Sequence, residues 1–243
     1  MKLLNGAALR ALQYGSMVLA ASAVVACGGS NDSGTAPGAT ISGTAAVGAA
    51  LANANVTLTC KNGSGSATTD SNGAYKATFN FDAPCAITAS GGSTTIHSFA
   101  AGSGTYNVTP LTELLLSYLA GQLGTTESAL LAGISSNASY QSALSNSTVI
   151  ANAEAAVVKL IKDTYGITLS SSSFLTVSFT PGTAGADADL DTLQAAGAIT
   201  SDGQPAASLV AAAVAAGQAA PISSGSAGSV ATGGTGGTGT TTK

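Results

Sequence analysis

The feature that most constrains the fold of this chain is a change in the spacing of its apolar residues at Thr109-Pro110. Before this point apolar and polar side chains alternate, as at Val56, Leu58 and Cys60, which is typical of half-buried antiparallel strands. After it, leucines recur every three or four residues over 111–119, which predicts a helix with Thr109 as N-cap. The sequence therefore predicts an α+β protein in two parts: an antiparallel β-sandwich over 41–108 and a small helical domain over 109–220.

Turn signals divide the first part into short strands. Asn62-Gly63 and Asn72-Gly73 favour tight turns, because Gly adopts positive φ without steric cost. The alternation predicts strands near 56–60 and 75–81, and further short strands are expected at 85–89, 94–99 and 106–108. This spacing of strands and turns is typical of a small sandwich.

The second part shows several helical patterns. After the helix that begins at Pro110, helices are predicted over 126–133, 137–144, 147–165, 187–196 and 206–216. An extended segment carrying Phe174 and Phe179 is expected to cover the helical core. Glu113 and Glu154 stand beside the apolar stripes of their helices, so both are expected to face solvent.

The N-terminus has the pattern of an export signal. Lys2 and Arg10 precede an uncharged apolar run over 11–26, which is too short for a comfortable membrane span and is typical of a secretory signal. The run ends in Val24-Val25-Ala26-Cys27, which resembles a bacterial lipobox. The resemblance implies cleavage between Ala26 and Cys27 and attachment of diacylglycerol to the Cys27 thiol. The alternative is an ordinary signal peptide cut near Ala23 or Ala26, with Cys27 left as a free thiol.

The lipobox resemblance also implies a location. Gly28, and not Asp, follows the cysteine, which favours an outer-membrane lipoprotein facing the periplasm or the cell surface. Residues 1–26 are then the signal peptide, and 27–40 are a lipidated flexible tether rich in Gly and Ser. Residues 221–243 form a Gly, Ser and Thr tail that is expected to be disordered.

Charge and cysteine content limit the partners. Without residues 1–26 the chain keeps five Lys and no Arg against eleven Asp and Glu, a net charge of −6. Such a chain is a poor candidate for binding nucleic acid, which needs cationic phosphate contacts. Cys60 and Cys85 are 25 residues apart, and in an exported chain they are expected to form a disulfide.

Three segments of the first part resemble a known family. Ile41-Ser42-Gly43, the stretch 53–58 (Asn-Ala-Asn-Val-Thr-Leu) and the stretch 69–75 (Thr-Asp-Ser-Asn-Gly-Ala-Tyr) look like the carboxypeptidase regulatory-like, transthyretin-like β-sandwich. The chain departs from that family in having Ala49-Ala50 where a Pro is usual. The resemblance covers about 41–100 and implies an accessory fold without catalysis, and the zinc domain of the parent enzymes has no counterpart here.

Catalytic and metal-binding signals are weak. His97 is the only histidine, with no second His or free Cys to complete a metal site, so no metal or cofactor is expected. Asp187, Asp189 and Asp191 lack the Gly and Glu of a calcium loop and are expected to be a solvated helix start.

These features predict a non-catalytic structural or binding module of the cell envelope, held to the membrane by its lipid. Its partner would be an envelope protein or a glycan. One alternative is an adhesin or accessory subunit that recognises carbohydrate or protein through loops of the sandwich. The other is a hydrolase with an unrecognised site, which a cleft holding His97 beside a carboxylate and a Ser would favour.

Overall fold

A computed structural model describes residues 38–222. The predicted signal peptide, the lipobox with Cys27, most of the tether and nearly all of the tail lie outside the described residues. Within the described range the chain has mixed α+β content, with seven strands in two sheets followed by six helices. The strands are β1 (Ala39–Thr44), β2 (Asn55–Asn62), β3 (Ser64–Thr68), β4 (Ala74–Phe79), β5 (Asp82–Gly91), β6 (Thr94–Ala100) and β7 (Gly104–Thr105). The helices are α1 (Pro110–Gln122), α2 (Glu127–Gly133), α3 (Ala138–Ser145), α4 (Ser147–Tyr165), α5 (Ala186–Ala195) and α6 (Ala207–Gln218).

The strands form one three-stranded and one four-stranded sheet, as far as residues 38–222 show. The first has the order β4-β1-β7, in which β1 pairs antiparallel with β4 and parallel with the short β7. The second has the order β3-β2-β5-β6 and is antiparallel throughout. The predicted alternation is confirmed, since Val56, Leu58 and Cys60 on β2 are buried and their neighbours are exposed.

Two details of the strand prediction were wrong. The residues after Gly63 form the edge strand β3, which was not predicted because its Ser, Gly and Thr side chains have no apolar face. Residues 106–108 are not a regular strand, although Val108 makes an isolated bridge to Ala45. The turn expected at Asn72-Gly73 is present: the Asp70 Oδ1 accepts backbone hydrogen bonds from Asn72 and Ala74, and the turn joins β3 of one sheet to β4 of the other.

The predicted disulfide is present. Cys60 on β2 and Cys85 on β5 are directly opposite each other in register, and their sulfurs are bonded. The two Cα atoms are 3.8 Å apart, which is closer than the 4.4–6.8 Å usual for disulfides. Both side chains are buried, so the bridge joins two neighbouring strands on the core side of their sheet.

Helix α1 is buried on every side. The prediction of an amphipathic helix with one buried face was therefore wrong. All residues from Pro110 to Gly121 are buried, because the helix packs against β6, α2, α4 and α6. Its contact with α6 depends on two glycines. An added Cβ would lie 2.3 Å from the Val214 carbonyl oxygen at Gly121 and 2.1 Å from the Tyr118 carbonyl oxygen at Gly217, so neither site has room for a side chain.

The helix boundaries follow the predicted caps closely. Helix α4 runs from Ser147 to Tyr165 as predicted, and Gly166 ends it with a φ of 72°.

Across residues 38–222, the helices lack the combination of length and hydropathy that crossing a membrane would require.

Candidate functional site

The principal cluster of ionisable side chains in the described part of the chain joins three elements. His97 comes from β6, Glu113 from the first turn of α1 and Glu127 from the start of α2. One ligand atom from each of these side chains lies within 4.8 Å of the other two. The cluster therefore exists only because β6 and two helix starts meet at one place.

Glu113 holds His97 by two contacts. Its Oε1 accepts a hydrogen bond from the His97 backbone N–H at 2.8 Å and lies 2.9 Å from the His97 Nδ1. Because a carboxylate only accepts, Nδ1 carries the hydrogen in this contact. The Thr112 hydroxyl also donates to the His97 carbonyl at 2.9 Å, so adjacent residues of α1 fix the backbone of β6 at the histidine.

Glu127 completes the cluster from the other side. Its Oε1 is 3.9 Å from the His97 Nδ1, and its Oε2 accepts a hydrogen bond of 2.6 Å from the Ser117 hydroxyl. The side chains of His97 and Glu127 are 29% and 25% exposed, whereas that of Glu113 is only 6% exposed. Solvent therefore reaches one side of the cluster, and Glu113 forms its inner wall.

The pKa values of the two carboxyl groups are shifted in opposite directions. Burial, the hydrogen bond to Glu113 and the charge of Glu113 raise the pKa of Glu127 from 4.5 to about 9. Burial also acts to raise the pKa of Glu113, but hydrogen bonds from His97 and Glu127 and the charge of His97 outweigh it and hold the pKa below its ordinary value. At neutral pH the pair therefore carries one negative charge and one proton.

The expectation that Glu113 faces solvent was wrong. It assumed that only one face of α1 is covered, whereas neighbouring elements cover the whole helix. The sequence held one signal of a polar patch on α1: Glu113 and Ser117 are four residues apart and so lie on the same helix face. Nothing in the local pattern places Glu127 or His97 opposite that face.

The geometry of Ser117 argues against nucleophilic catalysis by this cluster. In a catalytic triad the hydroxyl bonds to the imidazole that takes its proton. Here the Ser117 hydroxyl donates to Glu127, and the residue is only 2% exposed. A nitrogen and two carboxylate oxygens facing one another are better suited to holding a proton or a cation.

A second buried polar group holds the segment after α4. The Glu154 side chain is buried, also contrary to the prediction, and its Oε1 accepts a 2.9 Å hydrogen bond from the Leu175 backbone N–H. Asn107, which lies between β7 and α1, binds the same segment: its side-chain amide donates to the carbonyls of Phe174 and Val177. Burial raises the pKa of Glu154, and the Leu175 hydrogen bond only partly opposes this.

Replacement of Glu154 by Gln is expected to raise stability at neutral pH. A carboxyl whose pKa is raised on folding stabilises the protein below its unfolded pKa, and that contribution is lost as the pH rises through the folded pKa. Gln keeps an acceptor for Leu175 and carries no charge at any pH. In urea titrations, the free energy of unfolding of Glu154→Gln should exceed that of the wild type at pH 7. The difference should vanish at about pH 4, where both states of the wild type hold the proton. An equal difference at both pH values would contradict a buried, titrating Glu154.

The three aspartates of α5 do not converge. Asp187 is buried and accepts a hydrogen bond from the Gly182 backbone N–H at 2.7 Å, so the expectation of a solvated helix start was wrong for this residue. Asp189 instead accepts from both the backbone N–H and the hydroxyl of Ser170. The carboxylate of Asp191 is exposed.

The residues singled out in the sequence have different outcomes. Cys60 and Cys85 are bonded as predicted, His97 belongs to the cluster with Glu113 and Glu127, and Cys27 lies outside the described range.

Comparison with known proteins finds no family model, no curated protein and no solved structure that matches this chain.

Proposed function

We propose that this chain is a lipoprotein anchored in the outer membrane through Cys27, and that its folded part is a non-catalytic structural or binding module of the cell envelope. The observation that carries the proposal is the placement of Cys27 directly after Val24-Val25-Ala26 at the end of an uncharged apolar run. The Cys60–Cys85 disulfide supports it, because disulfides persist in compartments outside the cytosol. With these two cysteines paired, Cys27 is the remaining thiol of the sequence.

Within this proposal the strands form a sandwich of the carboxypeptidase regulatory-like kind, followed by a helical part. The inward alternation of β2 and the order of the two sheets are compatible with two facing layers. An envelope protein or a glycan is the partner that we propose for this module. The buried Ser117 and the deeply buried Glu113 favour a binding role over hydrolysis, because a catalytic nucleophile must reach its substrate.

Lipidation is the test of the anchor. Mass spectrometry of the membrane fraction should find an acylated N-terminal Cys27, and metabolic labelling with a radioactive fatty acid should mark the protein. Cys27→Ser should abolish the label and leave the protein uncleaved or released from the membrane. The double variant Cys60→Ala/Cys85→Ala is the matched control, since it keeps Cys27 and should keep the label. An unmodified wild-type chain that begins at another residue would overturn the proposal.

The absence of catalysis needs its own measurement. The purified protein should give no turnover with ester, peptide or glycoside substrates. Turnover that is abolished by His97→Ala or Glu113→Gln, with unchanged circular dichroism, would show that the cluster is catalytic and that the binding role is wrong.

A further inference from the structure

We propose that His97, Glu113 and Glu127 form a binding site for a divalent first-row transition-metal ion such as Zn²⁺. The site supplies one imidazole nitrogen and two carboxylate oxygens, which are established ligands of such ions. No metal was expected from the sequence because a second His and a free Cys are missing. Two glutamates from separate helices supply the ligands that the local sequence did not suggest.

The distances allow one ion to touch all three side chains. Bonds of about 2.0–2.2 Å place two ligand atoms at most about 4.4 Å apart. The His97 Nδ1 is 2.9 Å from the Glu113 Oε1 and 3.9 Å from the Glu127 Oε1, and all three ligand atoms lie within 4.8 Å of one another. Binding therefore requires side-chain movements of a few tenths of an ångström. The His97 Nδ1 must also lose the hydrogen that it donates to Glu113, with the neutral ring then carrying its hydrogen on Nε2.

The charges around the cluster also favour a cation. Two carboxyl groups, of which Glu127 holds a proton at neutral pH, face a single imidazole, and in the part of the chain that the structure describes no lysine lies within 4.0 Å of either group. A divalent ion would displace the proton of Glu127 and then balance the charges of both carboxylates. Calcium fits less well, because it takes six to eight oxygen ligands whereas this site offers three ligands, one of them nitrogen.

An ion could enter from solvent and keep an open coordination position. The side chains of His97 and Glu127 are each about one quarter exposed, so water can complete the coordination on that side. Hydrogen bonds orient the two carboxyl ligands: the Ser117 hydroxyl donates to Glu127, and the His97 backbone N–H donates to Glu113. Such supporting hydrogen bonds are a regular feature of protein metal sites.

The experiment is a titration of the purified, tag-free full chain with ZnCl₂ by calorimetry, after treatment with chelator and dialysis. We expect one ion per chain. Glu127→Gln and Glu113→Gln keep an acceptor for Ser117 and for the His97 N–H, so both variants should fold and yet bind at least about tenfold more weakly. Glu154→Gln is the matched control, because it neutralises a buried glutamate outside the cluster and should bind like the wild type.

Spectroscopy separates this site from adventitious surface binding. Co²⁺ in place of Zn²⁺ should give ligand-field absorption bands in the wild type that disappear in His97→Gln. Absence of stoichiometric binding, or equal binding by the wild type and the double variant Glu113→Gln/Glu127→Gln, would overturn the proposal. Circular dichroism of each variant before titration ensures that weaker binding is not the result of unfolding.

Discussion

Asn107→Ala is expected to lower the free energy of unfolding by about 2–6 kcal/mol, since it leaves two buried groups without a partner and each costs about 1–3 kcal/mol. Asn107 is fully buried and its side chain makes three hydrogen bonds. It accepts from the Thr44 backbone N–H at 3.2 Å and donates to the carbonyls of Phe174 and Val177 at 3.1 and 2.7 Å. Alanine would leave the Thr44 N–H and the Phe174 carbonyl buried without these partners, and it would remove the partly buried bond to the Val177 carbonyl.

The loss is large because it affects two parts of the chain together. Asn107 joins β1 to the segment that follows α4, and alanine has no group that could donate or accept in place of its amide. A loss of this size is a substantial fraction of the 5–15 kcal/mol that typically stabilises a domain. Urea denaturation at pH 7 measures it directly.

Asn152→Ala is the control for this prediction. Asn152 is exposed on α4, and its replacement should change stability by no more than about 0.5 kcal/mol. If Asn107→Ala cost less than about 1 kcal/mol, the role of its three hydrogen bonds in stabilising the fold would be refuted.

Removal of the disulfide by Cys60→Ala/Cys85→Ala is expected to cost roughly 3–4 kcal/mol on the chain-entropy estimate for a loop of this length. The two residues are 25 positions apart, so the bridge closes a loop of moderate size in the unfolded chain. In the folded protein β2 and β5 are also paired antiparallel from Asn55 to Cys60, so the bridge is not their only connection. The effect therefore arises mainly from the greater entropy of the unfolded chain without the bridge.

Reduction of the wild type provides the second arm of this experiment. Dithiothreitol should lower the urea midpoint of the wild type towards that of the double variant, and it should leave the midpoint of the double variant unchanged. Non-reducing peptide mapping should recover both cysteines in one linked fragment. Free thiols at both positions, or equal stability of the two proteins without reductant, would contradict the prediction.

Features that depend on neighbouring residues could be predicted closely. The alternation of Val56, Leu58 and Cys60 located β2 and its buried face, and helix α4 with its glycine cap has the predicted bounds. These predictions succeeded because strand period, helix period and caps are properties of a few consecutive residues. Strand β3 was missed for the same reason, since its polar side chains carry no such pattern.

The candidate cluster could not be predicted in this way. Glu113 occupies a position that would be exposed on a helix covered on one face, but α1 is covered on all faces. His97 and Glu127 are 30 residues apart, and their meeting depends on how α1 and α2 dock on β6. Burial of a helix depends on the elements that surround it, and those elements come from distant parts of the chain.

The sequence by itself determined the α+β content, most helix ends, the pairing of Cys60 with Cys85 and the expectation of a lipid on Cys27. Local period, capping chemistry and cysteine number carry that information. Only the tertiary structure decided that Glu113, Glu127 and His97 share one site and that Glu154 and Asn107 hold the segment after α4. These contacts join residues far apart in the chain, and the physical reason is that side-chain burial and charge pairing arise only when whole elements pack together.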